Sequence, residues 1–357
     1  MASEGVALFK KGRVQMAGLG VLNTGLLAWN HDRVLELRDD KLFYRDATAA
    51  DDALGEQVSS SGGTAAASRG APADVGATGS TKVIDFERVT AVELSDAKTS
   101  FVVHTADRSY TFDPDYYEPA SAVEWFEVLS AVYATRMLYA TLNGILAEHG
   151  ANWLADVMRW LDMGALVHPR LGQNRSESPL YLAAGGEPEA VRLLLERGAP
   201  VNVGHVNEDT PLHRACRDGR VENVALLLER SDVNVDSVNR TEGETPLHAV
   251  MAFHRRLGPD DRNRCAAVAD ICTRLVRRGA RVEAVDRLGR TPLMLAAAEG
   301  LLPVVDILGG NVNLQDVQGR TAGHFAAEQR RRAMLDLLEQ RGLNVMLADN
   351  SGRRAAF

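Results

Sequence analysis

Three histidines occupy one position of a recurring sequence pattern, and clustered histidines can bind a metal ion or transfer protons. His213, His248 and His324 each follow a threonine by three residues. If each belongs to a separate structural repeat, neighbouring rings lie roughly 10 Å apart, whereas zinc ligands place their nitrogens about 2.1 Å from the metal. We therefore expect these histidines to form neither a shared metal site nor an acid–base array.

The three cysteines, Cys216, Cys265 and Cys272, are the other candidates for metal or redox chemistry. Their odd number and the lack of a Cys-x-x-Cys pair argue against a disulfide framework. Cys265 and Cys272 are seven residues apart and could share one helix face, which favours buried core thiols. The chain also lacks the Gly-x-x-x-x-Gly-Lys-Ser/Thr, Gly-x-Ser-x-Gly and His-Glu-x-x-His motifs. We expect no enzyme activity, no catalytic residue, no metal and no cofactor.

The composition predicts a soluble protein of more than one domain. The 357 residues are 45% hydrophobic and 25% charged, and the formal net charge is −8. This acidic balance excludes a general attraction to nucleic acid. Because no run of about 18 apolar residues is present, we expect no membrane-spanning segment and a cytoplasmic location, with at most peripheral membrane contact.

The C-terminal half of the chain repeats a short motif in which Ser or Thr is followed in most copies by Pro-Leu. The copies start at Ser178, Thr210, Thr245, Thr291 and Thr321, so the spacings are 32, 35, 46 and 30 residues. A period near 33 residues is typical of a solenoid of stacked helix pairs. The hydroxyl can cap the helix that follows it, and proline fits the first helical turn because it has no N–H to lose.

The repeats resemble those of the ankyrin family. Asp286-x-x-Gly-x-Thr-Pro-Leu293 and Asp316-x-x-Gly-x-Thr321 match the family's turn motif, and Gly198-Ala-Pro-Val-Asn202 matches its helix ending. Gly164-Ala-Leu-Val-His168 matches the same ending, which supports a degenerate first unit at about residues 151–168 and a total of about six units. The resemblance implies that each repeated histidine donates a hydrogen bond to the backbone of a neighbouring turn.

The resemblance also implies a surface that binds proteins, formed by the hairpin tips and the first helix of each pair. The tip residues that it assigns to partner binding have charged or amide side chains: Asn207, Glu208, Arg240, Glu242, Arg287, Arg290, Gln318 and Arg320. The fourth unit carries an insert at residues 254–264. This insert is either a tolerated surface loop or an accessory contact with an acidic partner.

The N-terminal part predicts strands closed by one helix. Arg33–Arg38 alternates apolar and polar residues, Asp39-Asp40 predicts a turn, and Lys41–Tyr44 predicts the returning strand. Ser100–Thr105 and Ser109–Phe112 predict a second hairpin. Residues 47–81, rich in Ala, Ser, Gly and Asp, predict a disordered loop between the hairpins.

A helix follows these strands. Its spacing places four apolar residues on one face: Trp125, Val128, Leu129 and Val132. The order of elements resembles a pleckstrin-homology domain, in which a tryptophan of the closing helix plugs one end of a β-sandwich. Gly18-Leu-Gly20 is then expected to be the turn of the first hairpin.

Members of the pleckstrin-homology family can bind phosphoinositide headgroups beside that first hairpin. The positions that correspond here are Lys10, Lys11, Arg13, His31, Arg33 and Tyr44. Arg33 matches the last cation of the family motif, but His31 stands where a stronger cation is usual. Residues 1–140 carry 13 Lys and Arg against 20 Asp and Glu, which opposes binding to anionic lipid. Three roles stay open: selective phosphoinositide binding, weak membrane contact, and a protein-binding or structural role.

The sequence therefore predicts a pleckstrin-homology-like β-sandwich with a closing helix at residues 5–135. Connecting helices and a degenerate capping repeat follow at 136–170, and an all-α ankyrin solenoid at 171–357. The four-cysteine zinc module of Arf GTPase-activating proteins and the oxysterol-binding domain, which occur with these domain types, are both missing. We expect a non-catalytic adaptor whose array binds a protein partner. Its N-terminal module would localise the array, at a phosphoinositide-containing membrane or without any lipid role.

Overall fold

The computed structural model describes residues 6–8, 23–29, 33–38, 41–46, 82–98, 100–112, 119–144, 153–167, 177–205, 207–255 and 262–355. These residues contain eight strands and twelve helices. They form two compact units, the first drawn mainly from Met1–Thr141 and Leu146–Leu166, and the second mainly from Val167–Pro169 and Ser176–Phe357. Most of the strands are in antiparallel pairs, and all of them belong to the first unit.

The larger sheet of the first unit has five strands in sequence order: β1 (Val6–Leu8), β2 (Asn23–Trp29), β3 (Arg33–Arg38), β4 (Lys41–Asp46) and β5 (Lys82–Asp85). Arg38 pairs with Lys41, so β3 and β4 form a hairpin at the predicted place. β1 runs parallel to β2, so it is not the strand that a hairpin turn at Gly18–Gly20 would pair with β2. Gly18–Gly20 and the predicted disordered loop at 47–81 lie outside the described residues.

A smaller sheet holds β6 (Val89–Leu94), β7 (Phe101–Thr105) and β8 (Ser109–Phe112). β7 and β8 form the predicted second hairpin, in which His104 pairs with Ser109. β5 and β6 belong to different sheets and are separated only by a 3-10 turn at Phe86–Arg88. Asp85 caps this turn by accepting a hydrogen bond from the backbone N–H of Glu87 at 3.0 Å.

Helix α1 (Pro119–Leu142) closes the first unit. Trp125, Leu129 and Val132 are buried as predicted, and Val128 is half-buried. The hydroxyl of Tyr133 donates to the carbonyl oxygen of Thr90 in β6 at 2.6 Å. The helix is therefore fixed to the smaller sheet by a hydrogen bond as well as by its apolar face.

Helix α2 (Trp153–Asp162) packs on the C-terminal half of α1. The indole of Trp160 meets the ring of Tyr133 edge-on at 6.0 Å, and its N–H donates to Oγ1 of Thr141 at 3.3 Å. Gly164 ends the helix with a φ of 87°. This ending is the one predicted for a degenerate repeat, although α2 belongs to the same compact unit as the sheets.

The second unit consists of five helix pairs: α3 (Pro179–Ala184) with α4 (Pro188–Glu196), α5 (Pro211–Arg217) with α6 (Val221–Glu229), α7 (Pro246–Arg255) with α8 (Arg262–Arg277), α9 (Pro292–Glu299) with α10 (Leu302–Leu308), and α11 (Ala322–Glu328) with α12 (Arg332–Gln340). Leu212, Leu227, Leu247 and Ile271 are fully buried where these pairs stack. Burial of each such side chain stabilises the fold by roughly 2 kcal/mol.

The insert at 254–264 is partly helical. α7 continues to Arg255 and α8 begins at Arg262, so both helices extend into the predicted insert. α8 is therefore 16 residues long, and residues 256–261 between the helices lie outside the described residues. The apolar pattern of α8 begins after its first turn, because the first three residues, Arg262-Asn-Arg264, are polar.

Candidate protein-binding surface

The repeated histidines bind the backbone on both sides of their rings. Nδ1 of His213 accepts a hydrogen bond from the backbone N–H of Thr210 at 3.1 Å, so the proton of the neutral ring is on Nε2. That Nε2–H donates to the carbonyl oxygen of Glu244, in the next repeat, at 3.0 Å. His248 and His324 repeat this arrangement and donate to the carbonyl oxygens of Arg290 and Arg353. The rings therefore join neighbouring repeats and have no nitrogen free for a metal.

The buried positions of the His213 and His248 rings favour their neutral form. Burial lowers the pKa of His213 to about 4, and burial also lowers the pKa of His248. A proton on Nδ1 would replace an accepted hydrogen bond with a clash of two donors. These histidines are therefore structural groups at neutral pH.

One repeat has methionine where the others have histidine. Sδ of Met294 accepts from the backbone N–H of Thr291 at 3.4 Å, but a thioether has no proton to donate to the following repeat. The carbonyl oxygen of Arg320 stands where the other repeats place the acceptor for histidine, and it accepts from the backbone N–H of Asp316. This interface lacks the histidine link.

We predict that Met294→His stabilises the chain by about 1 kcal/mol, because the ring adds one buried hydrogen bond to Arg320 without opening a cavity. Urea unfolding of the full chain at pH 8, where the ring is neutral, measures the change. Met294→Leu is the matched control, since it fills similar space without a donor. A Met294→His protein no more stable than the leucine control would contradict the prediction.

Aspartates hold the hairpins between repeats. Oδ1 of Asp286 accepts from the backbone N–H groups of Leu288 and Arg290 at 2.9 and 2.8 Å, and Oδ2 accepts from Nε of Arg290 at 2.6 Å. Asp316 makes the same three bonds in its own hairpin, the last of them with Arg320. The carboxylates are buried under these bonds and the paired arginines are mostly buried, so each hairpin presents its tip residues to solvent.

Successive hairpins are joined by backbone hydrogen bonds that form a ladder. The N–H groups of Arg240, Arg287, Val317 and Asn350 donate to the carbonyl oxygens of Asn207, Glu242, Leu288 and Gln318, at 2.8 to 3.0 Å. Because each bond joins one repeat to the next, the hairpin tips lie side by side along the second unit. The tips therefore form one continuous surface.

Two charge clusters occupy equivalent positions along this surface with opposite signs. In the repeat of α5, Arg217 binds Asp209 at 2.5 Å and lies 3.9 Å from Glu244. In the repeat of α11, Glu328 takes the position of Arg217 and lies 3.6 Å from Arg320 and 3.4 Å from Arg353. The first cluster is one cation between two acids, and the second is one acid between two cations.

Local contacts set the charge state of the first cluster. Burial alone would raise the pKa of Asp209, but hydrogen bonds from Arg217 and Asn239 outweigh it and lower the pKa. Glu244 lacks such a close donor, and burial raises its pKa. Asp209 is therefore the permanent negative charge of the cluster.

A family comparison identifies the repeat. The family model described as ankyrin repeats matches residues 145–239 and 264–349, together just over half of the chain. This chain is an ankyrin-repeat protein. The gap in the match, residues 240–263, includes α7 and the insert before α8, yet His248 and the hairpin at Arg240 keep the ankyrin geometry there. Residues 1–144 lie outside the match.

Curated relatives match less than half of this ankyrin-repeat protein. The chain is 31% identical over 178 residues to a probable 26S proteasome regulatory subunit p28 of Saccharomyces cerevisiae, which covers 47% of this chain and 71% of that protein. It is 30% identical over 154 residues to a transient receptor potential cation channel of Drosophila melanogaster, covering 41% of this chain and 12% of the channel. It is 32% identical over 152 residues to the human ankyrin repeat domain-containing protein 63, covering 41% of this chain and 36% of that protein. The chain thus spans a small part of the channel.

The structure places all eight predicted tip residues in the ankyrin hairpins. Six are exposed and form no ion pair within their own hairpin among the described residues. Arg240 and Glu208 pair with each other across neighbouring hairpins, and the others are Asn207, Glu242, Arg287 and Gln318. Arg240 binds Glu208 at 2.5 Å, and Glu208 has a φ of 62°. Arg290 and Arg320 are mostly buried in their salt bridges with Asp286 and Asp316, which gives these two arginines a hairpin-stabilising role.

Sequence reasoning did not find the Asp209–Arg217–Glu244 cluster or its counterpart around Glu328. The signal was available in part, because Arg217 and Glu328 each stand seven residues after the capping threonine of an ankyrin repeat. The partners of Arg217, Asp209 and Glu244, are about 8 and 27 residues away in sequence and lie on two different hairpins. Only the stacking of the repeats brings them together.

The residues predicted to bind a lipid headgroup are only partly described. Lys10, Lys11, Arg13 and His31 lie outside the described residues. Arg33 and Tyr44 stand on the adjacent strands β3 and β4, where Arg33 pairs with Asp46 and Tyr44 pairs with Leu35. The backbone register thus brings these two positions near each other, and their role stays a prediction.

The thiols of this ankyrin-repeat protein are core groups, with one correction. Cys216 and Cys272 are buried, and burial raises the pKa of Cys272 to about 12. Cys265 is only half-buried, because it lies near the start of the longer α8. Within the described ranges no group of three His, Cys, Asp or Glu side chains is arranged to hold a metal ion. No helix in this part of the chain is both long and apolar enough to cross a membrane.

Proposed function

We propose that this ankyrin-repeat protein is a non-catalytic adaptor that holds a protein partner on the hairpin tips of its array. The observation that carries the proposal is the ladder of backbone bonds from Asn207 to Asn350, which aligns exposed tip side chains on a rigid frame. A pre-organised surface loses little conformational entropy when it binds. Protein binding is also the role that ankyrin repeats typically have.

The experiment compares partners captured by three full-length baits and identified by mass spectrometry. The test bait changes five exposed tip residues to alanine: Asn207, Arg240, Glu242, Arg287 and Gln318. Glu208 is left in place because its positive φ would strain an alanine. The control bait changes five exposed residues of the second helices to alanine: Arg192, Glu222, Glu229, Arg332 and Glu339.

We expect the test bait to lose partners that the wild-type and control baits retain, with the signal falling at least about tenfold, since interface hot spots dominate binding. Equal capture by all three baits would contradict the proposal. Urea unfolding of the test bait serves as the folding control, because all five substitutions leave the buried aspartates and histidines unchanged.

The proposal extends to the first unit, which would localise the array as a pleckstrin-homology-like module. Its support is the pair of sheets joined through the single turn Phe86–Arg88, and the closing helix with a buried Trp125. Co-sedimentation with phosphoinositide vesicles tests the lipid part of this role. Salt-sensitive pelleting that Arg33→Ala reduces would support it. Absent pelleting, or pelleting unchanged by salt and by Arg33→Ala, would leave an adaptor with no lipid role.

A further inference from the structure

The hairpin-tip surface is polarised in charge along the array. The hairpins at 205–209 and 239–244 contain four carboxylates and one arginine, Arg240. The hairpins at 286–290, 316–320 and 349–354 contain five arginines and three aspartates, and those aspartates are buried in the turns. After α8 the exposed charged tip residues are Arg287, Arg353 and Arg354, whereas before α8 they are Glu208, Arg240 and Glu242, so the exposed tip charge changes from acidic to cationic along the array.

Exposed apolar side chains occur in both halves of the surface, at Val203 and Val238 before α8 and at three positions after it. Val285, Leu288 and Val317 are 56%, 45% and 61% exposed. Leu288 and Val317 are neighbours, because the N–H of Val317 donates to the carbonyl oxygen of Leu288 at 3.0 Å. Adjacent exposed apolar side chains flanked by charge are typical of an interaction site.

The cations around these side chains are suited to carboxylates. Arg287 stands next to Leu288 in sequence, is exposed, and has no ion pair among the residues that the structure describes. Every cation of residues 99–357 is arginine, since the five lysines all lie between Lys10 and Lys98. The guanidinium binds a carboxylate through two parallel hydrogen bonds and is not neutralised at physiological pH.

We infer that the tips of residues 285–320 bind an extended acidic segment of a partner protein that carries apolar side chains. The carboxylates would bind the exposed Arg287, and the apolar side chains would cover Val285, Leu288 and Val317. The acidic tips at 205–244 would repel the same segment, so it would occupy only the cationic half. This inference rests on the proposed function and names the chemistry of its partner.

Selection of random 12-residue peptides displayed on phage against the immobilised full chain tests the inference. We expect enriched peptides to be net acidic and to contain aliphatic or aromatic residues. Fluorescence anisotropy with the most enriched peptide then measures affinity for single variants. Arg287→Glu and Val317→Asp should each weaken binding about tenfold or more, and binding should weaken further as salt rises.

Two control variants make the same kinds of substitution, arginine to glutamate and aliphatic to aspartate, at positions away from the tips. Arg332→Glu reverses an exposed arginine of α12, and Leu302→Asp changes an exposed leucine of α10. Both should bind the peptide as the wild type does. Enrichment of basic peptides, no enrichment, or binding that survives Arg287→Glu and Val317→Asp would overturn the inference. The partner-capture experiment described under the proposed function tests that function independently. A partner held by the tips at 205–244 would still be lost from the five-alanine bait, even if no acidic peptide bound the tips at 285–320.

Discussion

Replacing Asn223 with alanine is expected to lower the free energy of unfolding by about 3 kcal/mol, because two buried acceptors lose their donor. Asn223 is fully buried in α6, and its side-chain N–H₂ donates to the carbonyl oxygens of Ala184 and Gly186 in the preceding repeat, both at 2.9 Å. Both carbonyls belong to the end of α3, where few other donors are near. Alanine would leave them unsatisfied in the interior and would also open a small cavity.

Asn202 provides the matched control for this substitution. Its side-chain N–H₂ donates to the carbonyl oxygen of Asp232 at 2.7 Å, and its Oδ1 accepts from the backbone N–H of Asn234 at 2.8 Å. These bonds also join two repeats, but Asn202 is exposed, so water can replace them. We expect Asn202→Ala to cost less than about 1 kcal/mol in the same urea titration. Equal losses for the two variants would contradict the buried role of Asn223.

Acidification from pH 7 to pH 5 is expected to remove about 2 kcal/mol of stability through His213 alone. The pKa of His213 in the folded chain is about 4, because burial disfavours the imidazolium, whereas an unfolded chain titrates near 6.5. The unfolded state therefore binds the proton first as the pH falls. The contribution is fully present above about pH 6.5 and is lost between pH 6.5 and pH 4. His248, whose pKa is also lowered, acts in the same direction.

The variant His213→Met isolates the contribution of His213 to the pH dependence of stability, because methionine occupies the equivalent position in the repeat of Met294. It should be less stable than the wild type at pH 7.5, where it lacks the bond to Glu244. Its stability should fall less steeply than that of the wild type between pH 7 and pH 5, by about 2 kcal/mol over the interval. Urea midpoints at half-unit pH steps give both slopes. Parallel slopes for the two proteins would show that His213 does not titrate as the geometry requires.

The repeat architecture follows from local signals that sequence reasoning can read. The serine or threonine before Pro-Leu caps α3, α5 and α9, and Gly198, Gly279 and Gly342 end second helices with a positive φ. The structural role of the repeated histidines was also predictable, because the ankyrin pattern contains it. The hairpin of β3 and β4 was visible from alternation and the Asp39-Asp40 pair.

Other features depend on contacts between distant residues and could not be read from local pattern. The polar residues Asp85, Glu87 and Arg88 lie at the end of β5 and in the turn before β6. The sequence there therefore gives no clear run of alternating apolar and polar residues. α8 begins with polar residues, so its first turn lacks an apolar signature. By its sequence position Arg290 resembles an exposed tip residue, but its guanidinium binds the carboxylate of Asp286. The opposite charges around Arg217 and Glu328 become apparent only when the repeats are stacked.

Hydrogen exchange of the full chain, with and without the partner captured by the wild-type bait, tests the central claim most directly. The account predicts that the partner slows exchange in the hairpins at 205–210, 239–244, 286–290 and 316–320, with little change in α4, α6 and α12. Slowing confined to those second helices, or to residues before 145, would contradict the claim that the hairpin tips hold the partner.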